Sequence, residues 1–166
     1  MRHRRLPRVD LSGHTYFLTC CVDRRRRLFM RPAWARAIVN LYAEARAPGD
    51  ILLHAYVVMP DHYHVLLTLV GCPSISNLVR RIHAIFSYRV RRAGASAPAR
   101  QTVGNRVWQK RFYDHVIRDE RDFLAKFGYI HDNPVLSELV LDPKDYPWSS
   151  FHFWEMGDET VPCDGG

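Results

Sequence analysis

Two histidines separated by a single residue stand in a strongly apolar part of the sequence. His62 and His64 flank Tyr63 at the start of a segment, 62–70, that is otherwise rich in Val and Leu. Side chains alternate between the two faces of a β-strand, so both imidazoles face one way and Tyr63 faces the other. Two imidazoles at this spacing can bind one divalent metal ion, with coordination positions left for further ligands. Taken alone, the pattern favours the alternative, a pair of structural histidines.

A second set of candidate functional side chains is predicted on a downstream helix over residues 119–132. Its buried stripe consists of Phe123, Phe127 and Ile130. Tyr129 lies on the neighbouring face, and Asn133 follows one helical turn later, so a phenol and an amide oxygen can approach the same point. The alternatives are a tyrosine at the rim of the core and an asparagine that caps the helix before Pro134.

The predicted elements follow the order β–α–β–β–α–β–α and indicate an α+β sandwich around a central antiparallel sheet. The predicted strands are 14–22, 51–59, 62–70 and 111–117. The first helix starts at Pro32 and stops at 48–50, and the second runs from Ser74 or Ser76 to about Ala93. Asn133 and Pro134 end the third helix, and a short helix follows at 136–140. Residues 1–154 are expected to form one domain, with a basic arm at 1–10, a loop at 94–105 and a frayed acidic tail at 155–166.

The composition indicates a nucleic-acid partner. The chain has 166 residues with a formal net charge of +7, and only Lys110, Lys126 and Lys144 of its 24 basic residues are lysine. Arginine presents a planar fork that suits phosphates and nucleobases. The alternative is an Arg-rich soluble protein without such a partner. There is no apolar run of membrane-spanning length, zinc-type cysteine spacing or nucleotide-binding fingerprint, so we expect a cytoplasmic, nucleoid-associated protein without a nucleotide cofactor.

Four motifs in order resemble the REP-associated tyrosine transposases, which belong to the HUH single-tyrosine transposase superfamily. These motifs are HAYVVMPDHYH at 54–64, WQKRFYDHVIRDERDF at 108–123, YIHDNPV at 129–135 and YPWSS at 146–150. The resemblance extends from about His14 to His152. It departs from the family pattern after Val135, where Leu136 and Glu138 replace a frequent basic residue and glycine and imply a different turn.

The resemblance implies a ferredoxin-like or RRM-like fold whose central strand holds a divalent metal, Mg²⁺ or Mn²⁺, through His62 and His64. It implies that Asn133 is a third metal ligand and that Tyr129 is the nucleophile. Such enzymes cleave and rejoin single-stranded DNA near palindromic hairpins, leaving a 5′-phosphotyrosine and a free 3′-hydroxyl. Two other function classes remain open: a metal-dependent nuclease that uses water, and a hairpin-binding protein without catalysis.

Several further residues are candidates for supporting roles. Lys126, three residues before Tyr129, and His115 are possible auxiliary groups of the active site, and Tyr113 is interpreted as a packing residue. His54 and His131 are spare imidazoles for the metal. The residues expected to bind a hairpin-containing single strand, as a monomer, are Arg2, Arg4, Arg5, Arg24, Arg25, Arg26, Arg27, Arg80, Arg81, Arg89 and Arg92.

Overall fold

The computed structural model describes residues 13–95, 106–158 and 160–165. Its four strands are β1 (Thr15–Cys21), β2 (Ile51–Met59), β3 (His62–Leu69) and β4 (Tyr113–Val116). They form one antiparallel sheet in the order β2-β3-β1-β4. The predicted arm, with Arg2, Arg4 and Arg5, and residues 96–105 of the predicted loop lie outside the described residues.

Four helices flank this sheet: α1 (Pro32–Arg46), α2 (Ile75–Ala95), α3 (Glu120–Leu136) and α4 (Phe151–Met156). Short 3-10 turns at Asp23–Arg25, Leu28–Met30 and Pro143–Asp145 complete the secondary structure of the described residues. The order of elements and of strands confirms the predicted ferredoxin-like α+β fold. Within the described part of the chain, no helix is long and apolar enough to cross a membrane.

The sheet separates two apolar cores because its side chains alternate between faces. The larger core joins Leu18, Tyr63 and Val65 to α1 and α2. The smaller core, on the other face, joins Phe17 and Leu66 to α3. His62 and His64 share the face of Leu66, so the fold brings them to α3, the helix that contains Tyr129.

A chain of polar side chains, buried Tyr42 and Tyr63 and half-buried His83, lies on the α1/α2 face of the sheet. The Tyr42 and Tyr63 hydroxyls are 3.0 Å apart, and the Tyr63 hydroxyl lies 2.8 Å from Nε2 of His83. Burial raises the pKa of both phenols. Burial also lowers the pKa of His83 to about 3, so this imidazole is neutral in the folded protein near pH 7.

His83 makes the stability of the protein depend on pH. An unfolded histidine titrates near pH 6.5, whereas folded His83 does so near 3, so between these values only the unfolded chain binds this proton. The free energy of unfolding therefore falls as the pH drops through that window. We expect His83→Gln to reduce this slope by up to about 1.4 kcal/mol per pH unit. Urea unfolding of wild type and His83→Gln between about pH 7 and about pH 5 measures the slope. An equal slope in wild type and His83→Gln would contradict the assignment.

Helix α3 runs past the point where the sequence predicts its end. Pro134 lies inside the helix, which continues to Leu136, and no separate helix forms at 136–140. Proline has no N–H to donate to Ile130, but the helix continues because the Ser137 and Leu139 N–H groups bond to the carbonyls of residues 133 and 134. Burial of Ile130 and Pro134 against the core outweighs the lost hydrogen bond. Glu138 has a φ of 55° and thus adopts the left-handed conformation that glycine favours.

The carboxyl-terminal segment is packed rather than frayed. The Asp164 carboxylate accepts bonds of 2.8 and 2.7 Å from the Arg46 guanidinium and one of 2.8 Å from the Leu53 N–H. Such a bidentate, charge-assisted pair is stronger than a neutral hydrogen bond, so the segment is held against β2.

Helix α2 differs from the prediction too, since its last turn takes in residues 94 and 95 of the expected loop.

Candidate active site

Each of the paired histidines is held by a hydrogen bond at Nδ1. Nδ1 of His62 lies 2.6 Å from the Asp61 carboxylate and therefore donates to it. Nδ1 of His64 lies 2.8 Å from the Thr19 hydroxyl, which the β1–β3 register places directly opposite. The two rings are 4.8 Å apart, centre to centre. With both Nδ1 atoms engaged, Nε2 is the ring nitrogen that each histidine has left for a ligand.

Two buried polar atoms at this site have no partner. Among the described residues, Nε2 of His64 and Oδ1 of Asn133 are the buried side-chain atoms that make no hydrogen bond. Leaving such an atom unsatisfied costs about 1–3 kcal/mol, so native structures rarely do it without a functional reason. Burial lowers the pKa of His64 to about 3, which keeps its imidazole neutral. A neutral imidazole nitrogen and an amide oxygen are both metal-ligating groups.

Nε2 of His64 and Oδ1 of Asn133 are chemically suited to bind a divalent metal ion. They are therefore candidate ligands for a metal site. Within the described ranges, no group of three or more His, Cys, Asp or Glu side chains could hold a metal ion. Asn133 offers a further oxygen beside the two histidines. The burial of Asn133 inside α3 also excludes the alternative that it serves as the helix C-cap, a position that Ser137 occupies.

Arg25 contacts Asp61, the carboxylate that accepts the hydrogen bond from His62. Its Nε lies 2.9 Å from the Asp61 carboxylate, and its Nη1 donates to Sγ of Cys21 at 2.9 Å. Arg24 and Arg25 have φ values of 55° and 54°, a conformation that is strained in residues other than glycine. The strained turn thus directs Arg25 onto the carboxylate that orients His62.

Tyr129 lies beside His64 at the edge of the core. The two rings are 5.4 Å apart, and Phe17 stacks on His64 at 5.3 Å while it meets Tyr129 edge to face. Tyr129 is 42% exposed, whereas Asn133, one turn later on the same helix, is buried. A DNA strand can therefore reach the phenol, while the amide oxygen faces the protein interior.

The two auxiliary candidates have different surroundings. The Lys126 ammonium lies 5.2 Å from the centre of the Phe17 ring, which also contacts Tyr129. His115 is instead paired with Asp122 at 2.7 Å, and this bond lowers the pKa of the Asp122 carboxyl group. Lys126 is thus near the tyrosine, and His115 ties β4 to the first turn of α3.

The remaining candidates near the site are also placed by the structure. Tyr113 lies opposite Thr19 on β4, is 50% exposed and meets Phe17 edge to face, so it is more accessible than a packing role predicts. His54 uses both ring nitrogens, toward the Asp164 carbonyl and the Thr68 hydroxyl. His131 contacts the Ser150 hydroxyl. His54 therefore has no ring nitrogen left for a metal, and His131 has one nitrogen engaged.

The predicted DNA-binding arginines that the structure describes lie on α2 and in the turn after β1. Those on α2 lie across the sheet from Tyr129, and two of them are paired with acids: Arg81 with Asp50 at 2.5 Å and Arg89 with Glu44 at 3.7 Å. In the turn after β1, Arg26 donates to two backbone carbonyls, and Arg24 and Arg27 are exposed. Exposure does not exclude a partner, since Arg24 lies 4.0 Å from the Asp23 carboxylate and Arg27 donates to Sδ of Met30 at 3.7 Å.

Sequence reasoning missed the residues that orient the histidines. Asp61 immediately precedes His62, and a carboxylate next to a candidate metal histidine is a signal that the sequence contains. The role of Thr19 depends on strand register and has no sequence signal, since 45 residues separate it from His64.

Comparison with known proteins gives the class of this fold and site. A family model described as IS200-like transposase matches residues 10–133. The ferredoxin-like sheet, the paired histidines and the exposed tyrosine agree with that match and make the protein an enzyme of the single-tyrosine transposase class. The chain belongs to the IS200-like transposase family.

Individual relatives confirm the resemblance to REP-associated tyrosine transposases. A Haemophilus influenzae protein of that name is 29% identical over 93% of this chain and 89% of its own. An Escherichia coli K12 REP-associated tyrosine transposase is 27% identical over 87% of this chain and 81% of its own. A solved structure of such a transposase bound to a REP hairpin aligns with a TM-score of 0.72 at 27% identity, over 98% of this chain and 90% of its own.

Proposed function

We propose that this protein is a metal-dependent transposase that cleaves and rejoins single-stranded DNA near palindromic repeat hairpins through a covalent 5′-phosphotyrosine at Tyr129. The observation that carries the proposal is the pair of partnerless buried atoms, Nε2 of His64 and Oδ1 of Asn133, next to an exposed tyrosine. A protein that only bound hairpins would have no use for these unsatisfied atoms. A nuclease that used water would not need the tyrosine.

His62, His64 and Asn133 would hold the metal, Mg²⁺ or Mn²⁺. When bound, it would polarise the scissile phosphate and neutralise the charge that develops there. The Tyr129 oxygen loses its proton and forms a bond to phosphorus as the bond from phosphorus to the 3′-oxygen breaks, and the 3′-oxygen takes up a proton. Attack by a 3′-hydroxyl reverses these changes and rejoins DNA without ATP.

Two observations support a DNA hairpin as the binding partner: the net charge of the chain and its similarity to a transposase solved with a hairpin. The related transposase was solved with a REP hairpin, and this chain aligns with nearly all of it. The formal net charge of +7 favours binding of a polyanion. A single strand that carries such a hairpin is thus the expected substrate.

The decisive experiment is a search for the covalent intermediate. Purified protein is mixed with end-labelled single-stranded hairpins in Mn²⁺ or in EDTA and separated on a denaturing gel. We expect a labelled band at protein mass in Mn²⁺ alone, and peptide mass spectrometry should locate the nucleotide on Tyr129. Cleavage without a labelled protein band would instead establish hydrolysis, and hairpin binding without cleavage in any metal would leave a binding protein.

The contact between Asp61 and His62 leads to a prediction about metal affinity. A carboxylate that orients a metal-ligating histidine typically contributes about 10- to 100-fold to affinity. We expect Asp61→Asn to weaken Mn²⁺ binding by about that factor, as measured by calorimetry without DNA. Asp142→Asn removes a carboxylate that is paired with Lys144 instead, and it should leave the affinity unchanged. Equal affinities for wild type and Asp61→Asn would show that this contact does not act on the metal site.

A further inference from the structure

A basic cleft lies on the α2 side of the sheet, across from Tyr129. It encloses about 530 Å³ between α2, the end of β1 and the segment 108–112. Its cationic lining residues come from two elements: Arg80 and Arg91 from α2, and Lys110 and Arg111 from the segment. Eleven residues separate the two arginines, which is about three helical turns, so they share one face of α2.

The charges in this cleft are unbalanced. No Asp or Glu is among its lining residues, and none of its four cations has an acidic partner in the described part of the chain. The neighbouring Arg81 and Arg89 on the same helix are both paired with carboxylates. Like charges in a shared cleft repel each other, so this arrangement suits an anion that bridges them.

The floor of the cleft is rigid. His83 stacks on Trp108 with ring centres 3.9 Å apart and planes within 5° of parallel. The Trp108 indole N–H donates to the His83 carbonyl at 3.3 Å, and Nε2 of His83 contacts the buried Tyr63 hydroxyl. A rigid floor beneath flexible cations allows binding with little loss of conformational entropy in the floor itself.

We propose that this cleft binds the phosphodiester backbone of the unpaired DNA strand that flanks the hairpin. This inference rests on the proposed function. It places part of the DNA substrate on the side of the sheet opposite Tyr129. A cleft of about 530 Å³ lies within the usual range of ligand pockets and has room for a small number of nucleotides. Cationic side chains along a groove are the means by which proteins follow a single strand without reading its sequence.

The test compares two double variants that remove the same charge from the same helix. Arg80→Gln/Arg91→Gln empties the cleft of its α2 cations, and Arg81→Gln/Arg89→Gln removes two arginines that are paired with acids. All four side chains are exposed, so both variants should fold. Fluorescence anisotropy in EDTA measures binding of a labelled hairpin with unpaired flanks, and of the same hairpin without flanks, over a series of salt concentrations.

We expect the cleft variant to bind the flanked hairpin about 10-fold more weakly. The salt dependence, as the slope of log K against log salt, should become shallower by about 1.4, because each lost contact to a single-strand phosphate contributes about 0.7. The flankless hairpin and the control variant should show neither change. Equal losses in both variants would attribute the effect to net charge, and equal losses for both hairpins would place the duplex stem in the cleft. Either result overturns the proposal.

The readouts also separate this inference from the proposed function. Formation of the Tyr129 adduct requires metal, whereas binding to the cleft is measured in EDTA. Normal adduct formation together with an unchanged salt slope would refute the cleft alone. A missing adduct together with the expected loss of binding would refute the chemistry and leave the cleft in place.

Discussion

Tyr129→Phe is expected to abolish the covalent protein–DNA adduct and to reduce strand cleavage by about 10³-fold or more. Phenylalanine keeps the ring that contacts His64 and Phe17 but lacks the oxygen that would bond to phosphorus. The variant should therefore retain wild-type affinity for Mn²⁺ and for the hairpin. Gel detection of the adduct measures the first effect, and calorimetry and anisotropy measure the other two.

Tyr113→Phe is the matched control for this prediction. Tyr113 also contacts Phe17 and is about as exposed as Tyr129, so it is the alternative phenol at the same site. We expect the Tyr113→Phe variant to form the adduct at Tyr129 at the wild-type rate. Loss of the adduct in Tyr113→Phe and its persistence in Tyr129→Phe would exchange the two roles. Unchanged cleavage in both variants would favour water as the nucleophile.

Asn133→Leu is expected to have the second-largest effect, with opposite consequences for activity and stability. The variant loses the amide oxygen proposed as a metal ligand, so we expect Mn²⁺-dependent cleavage to fall by about 10²-fold. Without metal, it should be about 1 kcal/mol more stable than wild type, because a buried acceptor without a partner is replaced by an apolar group. This gain would show that the orphaned oxygen is kept for function at the expense of stability.

Urea unfolding with and without Mn²⁺ tests both parts of this prediction. At a metal concentration about 100 times the dissociation constant, a bound ion stabilises the wild type by about 2.7 kcal/mol, and Asn133→Leu should show a smaller increment. Asn133→Asp restores an oxygen at the same position and should recover the response to metal. A Mn²⁺ increment in Asn133→Leu equal to that of the wild type would exclude Asn133 as a ligand. Lower stability of metal-free Asn133→Leu would show that the residue has a structural role.

The comparison between sequence and structure is clearest at α3. The repeat of Phe123, Phe127 and Ile130 predicts the helix and the exposure of Tyr129, because a helix's periodicity is a local property. The local rule that proline ends a helix predicts an end at Pro134, whereas in the structure the helix continues to Leu136. Burial against the sheet compensates for a missing hydrogen bond, and no local pattern contains that information.

The charged residues illustrate the same limit. The sequence shows that the chain is rich in arginine, and it has no means to distinguish Arg80 from Arg81, which are adjacent on one helix. In the structure, Arg81 meets Asp50 from a distant turn while Arg80 lines the cleft. Arg25, which the sequence predicts to contact DNA, is also paired with Asp61, a contact that no local pattern predicts.

The sequence by itself determined which side chains share a face: His62 with His64 on a strand, and Tyr129 one turn before Asn133 on a helix. It did so because strand and helix periods depend only on the neighbouring residues. The tertiary structure alone decided that these two faces meet, that Thr19 orients the imidazole of His64, and that two buried atoms are left for a ligand. These contacts join segments far apart in the chain, and the packing and strand register that create them are properties of the whole fold.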